Sequence, residues 1–213
     1  MAKGIQSDYD IDYEKLTDSE VWKAILAGDR EAFGLLFSRY YDDLYHYAVK
    51  FSGRPGMAED HIQKLFLKIW HRRDSLEEVK GVKTYLWSAL RRSMIDTFRK
   101  EKAERKYLDK IDNGYARMQY TTEELVIHDE TSSARSRELK KAIGQLNSRQ
   151  REVLYLKFYE GMSYEEIEQI MSVSYQTSRN YVYQALQALK EILTPEVIVG
   201  LVLFAGFLVF FSI

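Results

Sequence analysis

The chain has 213 residues, a formal net charge of −1 and no cysteine, which excludes a disulfide framework and a thiolate metal site. With 46% hydrophobic residues, 30% charged residues and only 2 prolines, it is too apolar to stay disordered by composition. Its length suits one large or two small domains, and long runs of helix formers with few breakers predict an all-α protein.

The N-terminus is acidic (Asp8, Asp10, Asp12, Glu14, Asp18, Glu20) and contains no apolar run of the signal-peptide kind. Thr17-Asp-Ser-Glu20 is a capping-box pattern, after which Val21, Trp22, Ile25 and Leu26 share one helical face. Gly28 ends that helix and Asp29 caps the next, whose stripe is Phe33, Leu36, Phe37, Tyr40, Leu44, Tyr47, Ala48 and Phe51. Gly53, Pro55 and Gly56 then break the chain. A third helix is expected from about Met57 to Arg72, with Ile62, Leu65, Phe66 and Ile69 inward. A fourth begins near Gly81, with the stripe Val82, Leu86, Ala89, Leu90, Met94 and Phe98 and a charged extension to Lys106.

Residues 107–137 lack a persistent period and read as an interdomain linker. The period returns from Glu138 through Leu139, Ala142, Ile143 and Leu146. Ser148 is the expected cap of the next helix and Gly161 its stop. Ser163-Tyr-Glu-Glu166 is a second capping box, Ser172-Val-Ser174 a turn, and a last amphipathic helix carries Val182, Leu186, Leu189, Ile192 and Leu193 up to Pro195. Residues 197–213 are apolar apart from one serine, at the short end of a membrane-spanning length. Three readings of this hydrophobic C-terminal helix stand open: a membrane anchor, a segment packed on a partner or on the fold, and a β-prone tail of little consequence.

Two stretches carry chemistry. The first is the pair of capped helices around the Ser172–Ser174 turn, the pattern of a helix-turn-helix that enters the DNA major groove. Its second helix opens with Tyr175, Gln176, Thr177, Arg179, Asn180 and Tyr183. Gln and Asn suit adenine, Arg suits guanine or phosphate, and Thr can touch a thymine methyl. The second stretch is the helix after Gly81, where Tyr85, Trp87 and Phe98 interleave with Arg91, Arg92, Arg99 and Lys100. Aromatics that stack on unpaired bases beside cations that follow a backbone suit a single strand. Tyr85 and Phe98 read better as core, and Trp87 as the exposed aromatic. Local basic patches rather than the total charge steer a protein onto phosphates. Neither a catalytic carboxylate pair, a nucleophile with its base, a phosphate loop nor a metal cluster is recognisable, so no catalytic residue, metal or cofactor is expected. His46, His61, His71 and His128 read as surface or satisfied histidines.

Glu59 to Trp70 (EDHIQKLFLKIW) resembles the region-two helix of bacterial RNA polymerase sigma factors of the extracytoplasmic-function type. Tyr85 to Arg99 (YLWSALRRSMIDTFR) resembles the helix that follows it, and Leu146 to Val153 with Gly161 to Ile167 resembles their region four. The resemblance implies two helical domains, a region-two-like bundle over 17–106 and a region-four-like helix-turn-helix domain over 138–194, joined by the linker. It implies that region two binds the coiled coil of the polymerase largest subunit, melts the minus-ten element and captures a flipped base. Region four would dock on the polymerase flap and read the minus-thirty-five element. By position, polymerase binding falls on Asp60, Gln63, Lys64 and Leu67. Minus-ten melting falls on Trp87, Arg91, Arg92, Asp96, Arg99 and Lys100, and minus-thirty-five reading on Tyr175, Gln176, Thr177, Arg179, Asn180 and Tyr183. The implied partners are core polymerase, promoter DNA as duplex and as melted strand, and an anti-sigma factor or recruiting protein, in the cytoplasm or tethered through 197–213.

Three departures from the family pattern matter. Lys64 stands where an acid is usual, which reverses a charge facing the polymerase and predicts help from a recruiter. Arg92 replaces a usual asparagine. Tyr181 and Gln184 stand where basic residues are common, which predicts fewer phosphate contacts. Two other readings remain open from the residues alone: a stand-alone helix-turn-helix regulator with a sensing or dimerising N-terminal half, and a membrane-tethered signalling adaptor.

Overall fold

The computed structural model describes residues 12–106 and 133–193, and it is helical throughout those segments apart from turns. Eight α-helices follow in order: α1 Asp18–Leu26, α2 Arg30–Ser52, α3 Pro55–Arg72, α4 Val82–Lys106, α5 Ser133–Gln145, α6 Ser148–Leu154, α7 Tyr164–Met171 and α8 Tyr175–Ile192. The acidic residues before Asp12, most of the expected linker and the apolar tail lie outside the described residues. Among the described residues, no helix is long and apolar enough to cross a membrane.

Helix starts are set by side-chain caps, which satisfy backbone N–H groups that have no partner inside the helix. Both expected capping boxes form, Thr17 with Glu20 at α1 and Ser163 with Glu166 at α7. Asp29 Oδ1 accepts from the N–H groups of Glu31 and Ala32 at 2.9 and 3.0 Å to open α2. Some boundaries differ from expectation. Asn147, not Ser148, caps α6, because its carbonyl oxygen accepts from Gln150 N–H while Gln150 reaches back. Pro55 starts α3 two residues early, since the first helical position needs no N–H. Helix α5 begins at Ser133, inside the stretch expected to be linker.

Helices α1 to α4 enclose one core. Trp22, Ile25, Leu36, Leu44, Ile62, Ile69, Leu86, Leu90 and Met94 are all fully buried in it. Phe33 and Phe37 meet Phe66 edge-on at 6.0 and 4.9 Å, which locks α2 against α3. That core does not stop at α4. It runs on through Val153, Leu156, Met162, Ile167, Ile170, Met171 and Val182, so α6 to α8 pack directly on the first four helices. A smaller cluster of Ala142, Ile143, Leu146, Ala185, Leu189 and Leu193 ties α5 to α8. Arg151 Nη1 closes the end of α5 by donating to the carbonyls of Leu146 and Gly144 at 2.7 and 3.2 Å.

One polar joint sits within the first four helices. His61 of α3 is buried, with Nδ1 at 2.7 Å from Ser93 Oγ and Nε2 at 3.2 Å from Thr97 Oγ1 on α4. Burial, and then the nearby Lys64 charge, holds its titration below the ordinary imidazole range. The unfolded chain therefore takes up this proton first. The stability from neutral His61 is complete above the unfolded value of about 6.5 and drains away as pH falls through the lower folded value. A His61→Gln chain is expected to lose stability less steeply than the wild type between pH 7 and pH 5. Urea midpoints across that range check this; parallel curves would contradict it.

Candidate nucleic-acid interface

The expected duplex-reading residues gather on one end and one face of α8. Gln176, Arg179, Asn180 and Tyr183 are exposed, Tyr183 at 64%, while Ser178, Val182, Ala185 and Leu189 turn inward. The 3.6-residue period produces this split. Ser174 caps α8 by accepting from Thr177 N–H at 3.1 Å, and the two hydroxyls lie 2.8 Å apart, so half-buried Thr177 helps to hold the helix start. Gln176 Nε2 donates to Asn180 Oδ1 at 3.2 Å, one turn on, which leaves the Gln176 carbonyl and the Asn180 amide N–H groups directed outward. The Arg179 guanidinium lies 5.9 Å from the Tyr175 ring.

A residue that the sequence did not single out joins this face. Arg149, exposed at the start of α6, donates from Nη1 to the Tyr181 hydroxyl at 2.8 Å. A cation missing from α8 at Tyr181 thus arrives from α6. Its place in the first turn after the Asn147 cap was the available signal.

On α3, Asp60, Gln63, Lys64 and Leu67 form an exposed stripe, with Leu67 at 55% the most exposed large apolar residue after Tyr183 among the described residues. Lys64 stands 4.0 Å from Asp60, a fully wet pair of negligible strength.

The α4 residues divide. Arg92, Asp96, Arg99 and Lys100 are exposed, and Arg99 lies 3.4 Å from Asp96. Trp87 and Arg91 are not. The expectation that Trp87 is exposed is overturned: it is fully buried, edge-on to Tyr40 at 5.8 Å and tilted on Tyr47 at 6.5 Å. Both rings belong to α2, and the Lys83 ammonium lies 5.2 Å from the indole, so α4 has a second buried face beside its Leu86, Leu90 and Met94 stripe. The indole N–H of Trp87 has no hydrogen-bond partner there.

Arg91 is drawn into the same contact. Its Nε and Nη2 grip both carboxylate oxygens of Glu152 on α6 at 2.5 and 3.1 Å. The Tyr47 hydroxyl donates to the same carboxylate at 2.9 Å. Burial pushes the Tyr47 phenol well above its ordinary range, and the Glu152 charge adds to the shift. Two further acids line up along α4. Lys83 Nζ is 3.3 Å from Glu160 Oε2 and donates to the Glu160 carbonyl at 2.9 Å, and Thr84 Oγ1 donates to Glu166 Oε1 at 3.1 Å. Burial pushes the Glu160 carboxyl up, against the opposing pull of Lys83. After Leu154, α6 passes into a π-type turn, Tyr155–Tyr159, closed by the bond from Glu160 N–H to Tyr155 carbonyl at 3.1 Å. Tyr155 and Tyr159 stack at 4.8 Å and hold the buried Lys50 ammonium at 4.8 and 4.6 Å.

Residues 36–104 match the family model described as Sigma-70 region 2, and residues 136–189 match the one described as Sigma-70, region 4. Together the two matches span more than half of the chain. The chain belongs to the sigma-70 family, extracytoplasmic-function type. It is 26% identical to the ECF RNA polymerase sigma factor SigX of Bacillus subtilis (strain 168), over 76% of this chain and 83% of that one. Among solved structures it resembles the sigma factor RpoE of Bartonella quintana, determined with the anti-sigma factor NepR. The TM-score is 0.55 at 26% identity, over 75% of this chain and 95% of that chain. CnrH, determined with the cytosolic domain of CnrY, gives a TM-score of 0.56 at 22% identity, over 82% of this chain and 95% of that chain, and supports the fold. A sigma factor binds core RNA polymerase and directs it to promoters. The region-two match removes the stand-alone regulator, whose N-terminal half would have no such origin, and the adaptor with it.

In this sigma factor the Tyr47 hydroxyl is one of three donors on a buried carboxylate. Tyr47→Phe should lower stability by about 2 kcal/mol, the scale of a buried hydrogen bond to a charged group. Urea unfolding measures this, and an unchanged midpoint would show that the hydroxyl contributes nothing.

Proposed function

We propose that three faces divide the work of initiation. The α3 stripe of Asp60, Gln63, Lys64 and Leu67 would seat on the coiled coil of the polymerase largest subunit. Trp87, Arg91, Arg92, Asp96, Arg99 and Lys100 of α4 would open and hold the minus-ten strand. Tyr175, Gln176, Thr177, Arg179, Asn180 and Tyr183 would read the minus-thirty-five duplex, with Arg149 adding a phosphate contact beside Tyr181. The observation that carries this reading is the row on α8, where the exposed readers all have hydrogen-bonding capacity, with Gln176 paired to Asn180 and Arg179 beside Tyr175 on the same helix. On this reading the chain divides near 17–106 and 138–194, acts by binding rather than by chemistry, and works in the cytoplasm.

Regulation by an anti-sigma factor is proposed from RpoE of Bartonella quintana, whose structure was determined with the anti-sigma factor NepR. Recruitment by a further protein is proposed from Lys64, whose cation faces out of the polymerase-binding stripe where its family carries an acid.

Run-off transcription with core polymerase from the same source on a promoter library tests the whole reading. Arg179→Ala should reduce initiation about tenfold through the minus-thirty-five element, in line with about 1–3 kcal/mol per bidentate contact. Leu67→Asp should leave duplex binding intact and weaken polymerase binding in a pull-down. Initiation that is indifferent to both changes would refute the assignment.

A further inference from the structure

Arg149 stands where a cation is costly. It is the second residue of α6, whose start is closed by the Asn147 and Gln150 capping box, and the positive end of a helix dipole disfavours a guanidinium there. Among the described residues no carboxylate compensates it. Its partners are the Tyr181 hydroxyl, which accepts from Nη1 at 2.8 Å, and the Tyr181 ring, 6.0 Å away. The two residues lie 32 apart in sequence, so this bond joins α6 to α8. Tyr181 is half-buried and packed against the core, which fixes its ring, while Arg149 is exposed. A guanidinium has a side-on edge, formed by Nε and Nη2, that matches two oxygens of an oxyanion. With Nη1 engaged by the phenol, that edge is the one left open. Arg91 uses the same edge on Glu152 in this molecule.

We propose that Tyr181 is a positioning residue, whose hydroxyl turns the Nε and Nη2 edge of Arg149 onto one backbone phosphate of the duplex that α8 reads. This rests on the reading of α8 given above. Tyr181 lies one turn beyond Thr177, on the flank of the reading row, and a helix seated in the major groove meets the phosphate backbone along its flanks. A basic side chain at position 181 would reach that phosphate on a flexible stem. Tyrosine together with an arginine from the neighbouring helix delivers a planar fork whose aim is set before DNA arrives, so less rotamer freedom is lost on binding. The contact sets how α8 sits in the groove, since phosphate contacts position a protein while base contacts specify the sequence.

The test uses the full chain and a short fluorescein-labelled duplex carrying a minus-thirty-five element recovered from the promoter library, followed by fluorescence anisotropy at several KCl concentrations. Arg149→Ala is expected to weaken binding about tenfold, equally on every base-substituted element, and to make the slope of log K against log salt shallower by about one. Tyr181→Phe keeps the ring and loses the acceptor. It is expected to weaken binding about threefold when Arg149 is present, and not at all when residue 149 is alanine. A Tyr181→Phe loss that persists without Arg149 would overturn the positioning role, as would a Tyr181→Phe chain that binds like the wild type. Undiminished binding by Arg149→Ala, with Arg179→Ala still costing affinity, would overturn the phosphate contact and leave the α8 reading in place. If neither arginine matters, both fall. Arg149→Lys serves as a second variant, because it keeps the charge without the fork. It should retain the wild-type salt slope yet bind more weakly, and a lysine as effective as the arginine would show that the phenol aims nothing.

Discussion

The closed shape of this sigma factor depends on one buried carboxylate. Glu152 receives Arg91 through two nitrogens and Tyr47 through its hydroxyl, and hardly any of it touches water. Charges taken out of water are costly unless every lone pair is answered, and removing one partner of such a pair costs about 3–5 kcal/mol. A well-packed apolar trio would hold the helices at least as firmly. What the ionic trio adds is selectivity for one register: the carboxylate is satisfied only when α6 sits where α2 and α4 both reach it.

Other features of the interface follow from that register. Trp87 lies beside the same joint, edge-on to Tyr40 and tilted on the Tyr47 that reaches Glu152. The π-type turn widens the helix by one residue just beyond, which stacks Tyr155 over Tyr159 with the Lys50 ammonium beside both rings. A regular α-turn would place those two residues at a different angle. The exposed pairs work on another scale. Lys64 with Asp60 and Arg99 with Asp96 are solvated and screened, so they constrain nothing and leave their side chains available.

Much of the fold was legible because its signals are local. A capping box spans four residues, a glycine or proline stop spans one, and an amphipathic stripe repeats within one helix, so α1, α2, α7 and α8 could be read in place. The outward row of α8 and the α3 stripe were legible for the same reason. Trp87 was not. A helix that shows one clear apolar stripe gives no sign that a second element will cover an adjacent face, and the rings that meet Trp87, Tyr40 and Tyr47, lie well upstream on α2. Glu152 was hidden similarly: between Arg151 and Val153 it reads as one more solvated charge on a short amphipathic helix, and only long-range packing turns it inward. Arg91 was recognised as a strand-binding candidate, but sequence could not show it already engaged.

The two proposed DNA faces therefore differ in what they would ask of the protein. The α8 readers are held by neighbours on their own helix, Gln176 by Asn180 and Arg179 by Tyr175, so duplex contact exchanges water for base edges and disturbs nothing else. Strand contact at Arg91, as proposed, would have to compete with a bidentate carboxylate that is hardly exposed. Binding energy from a second surface is the natural source of that work. The α3 stripe is exposed, apolar at Leu67, and carried on the helix that meets α4 through His61, Ser93 and Thr97. A partner seated there would gain its affinity without entering the contact between α4 and α6. The polar joint at His61 thus ties α3 to α4, while the carboxylate at Glu152 ties α6 to both α2 and α4.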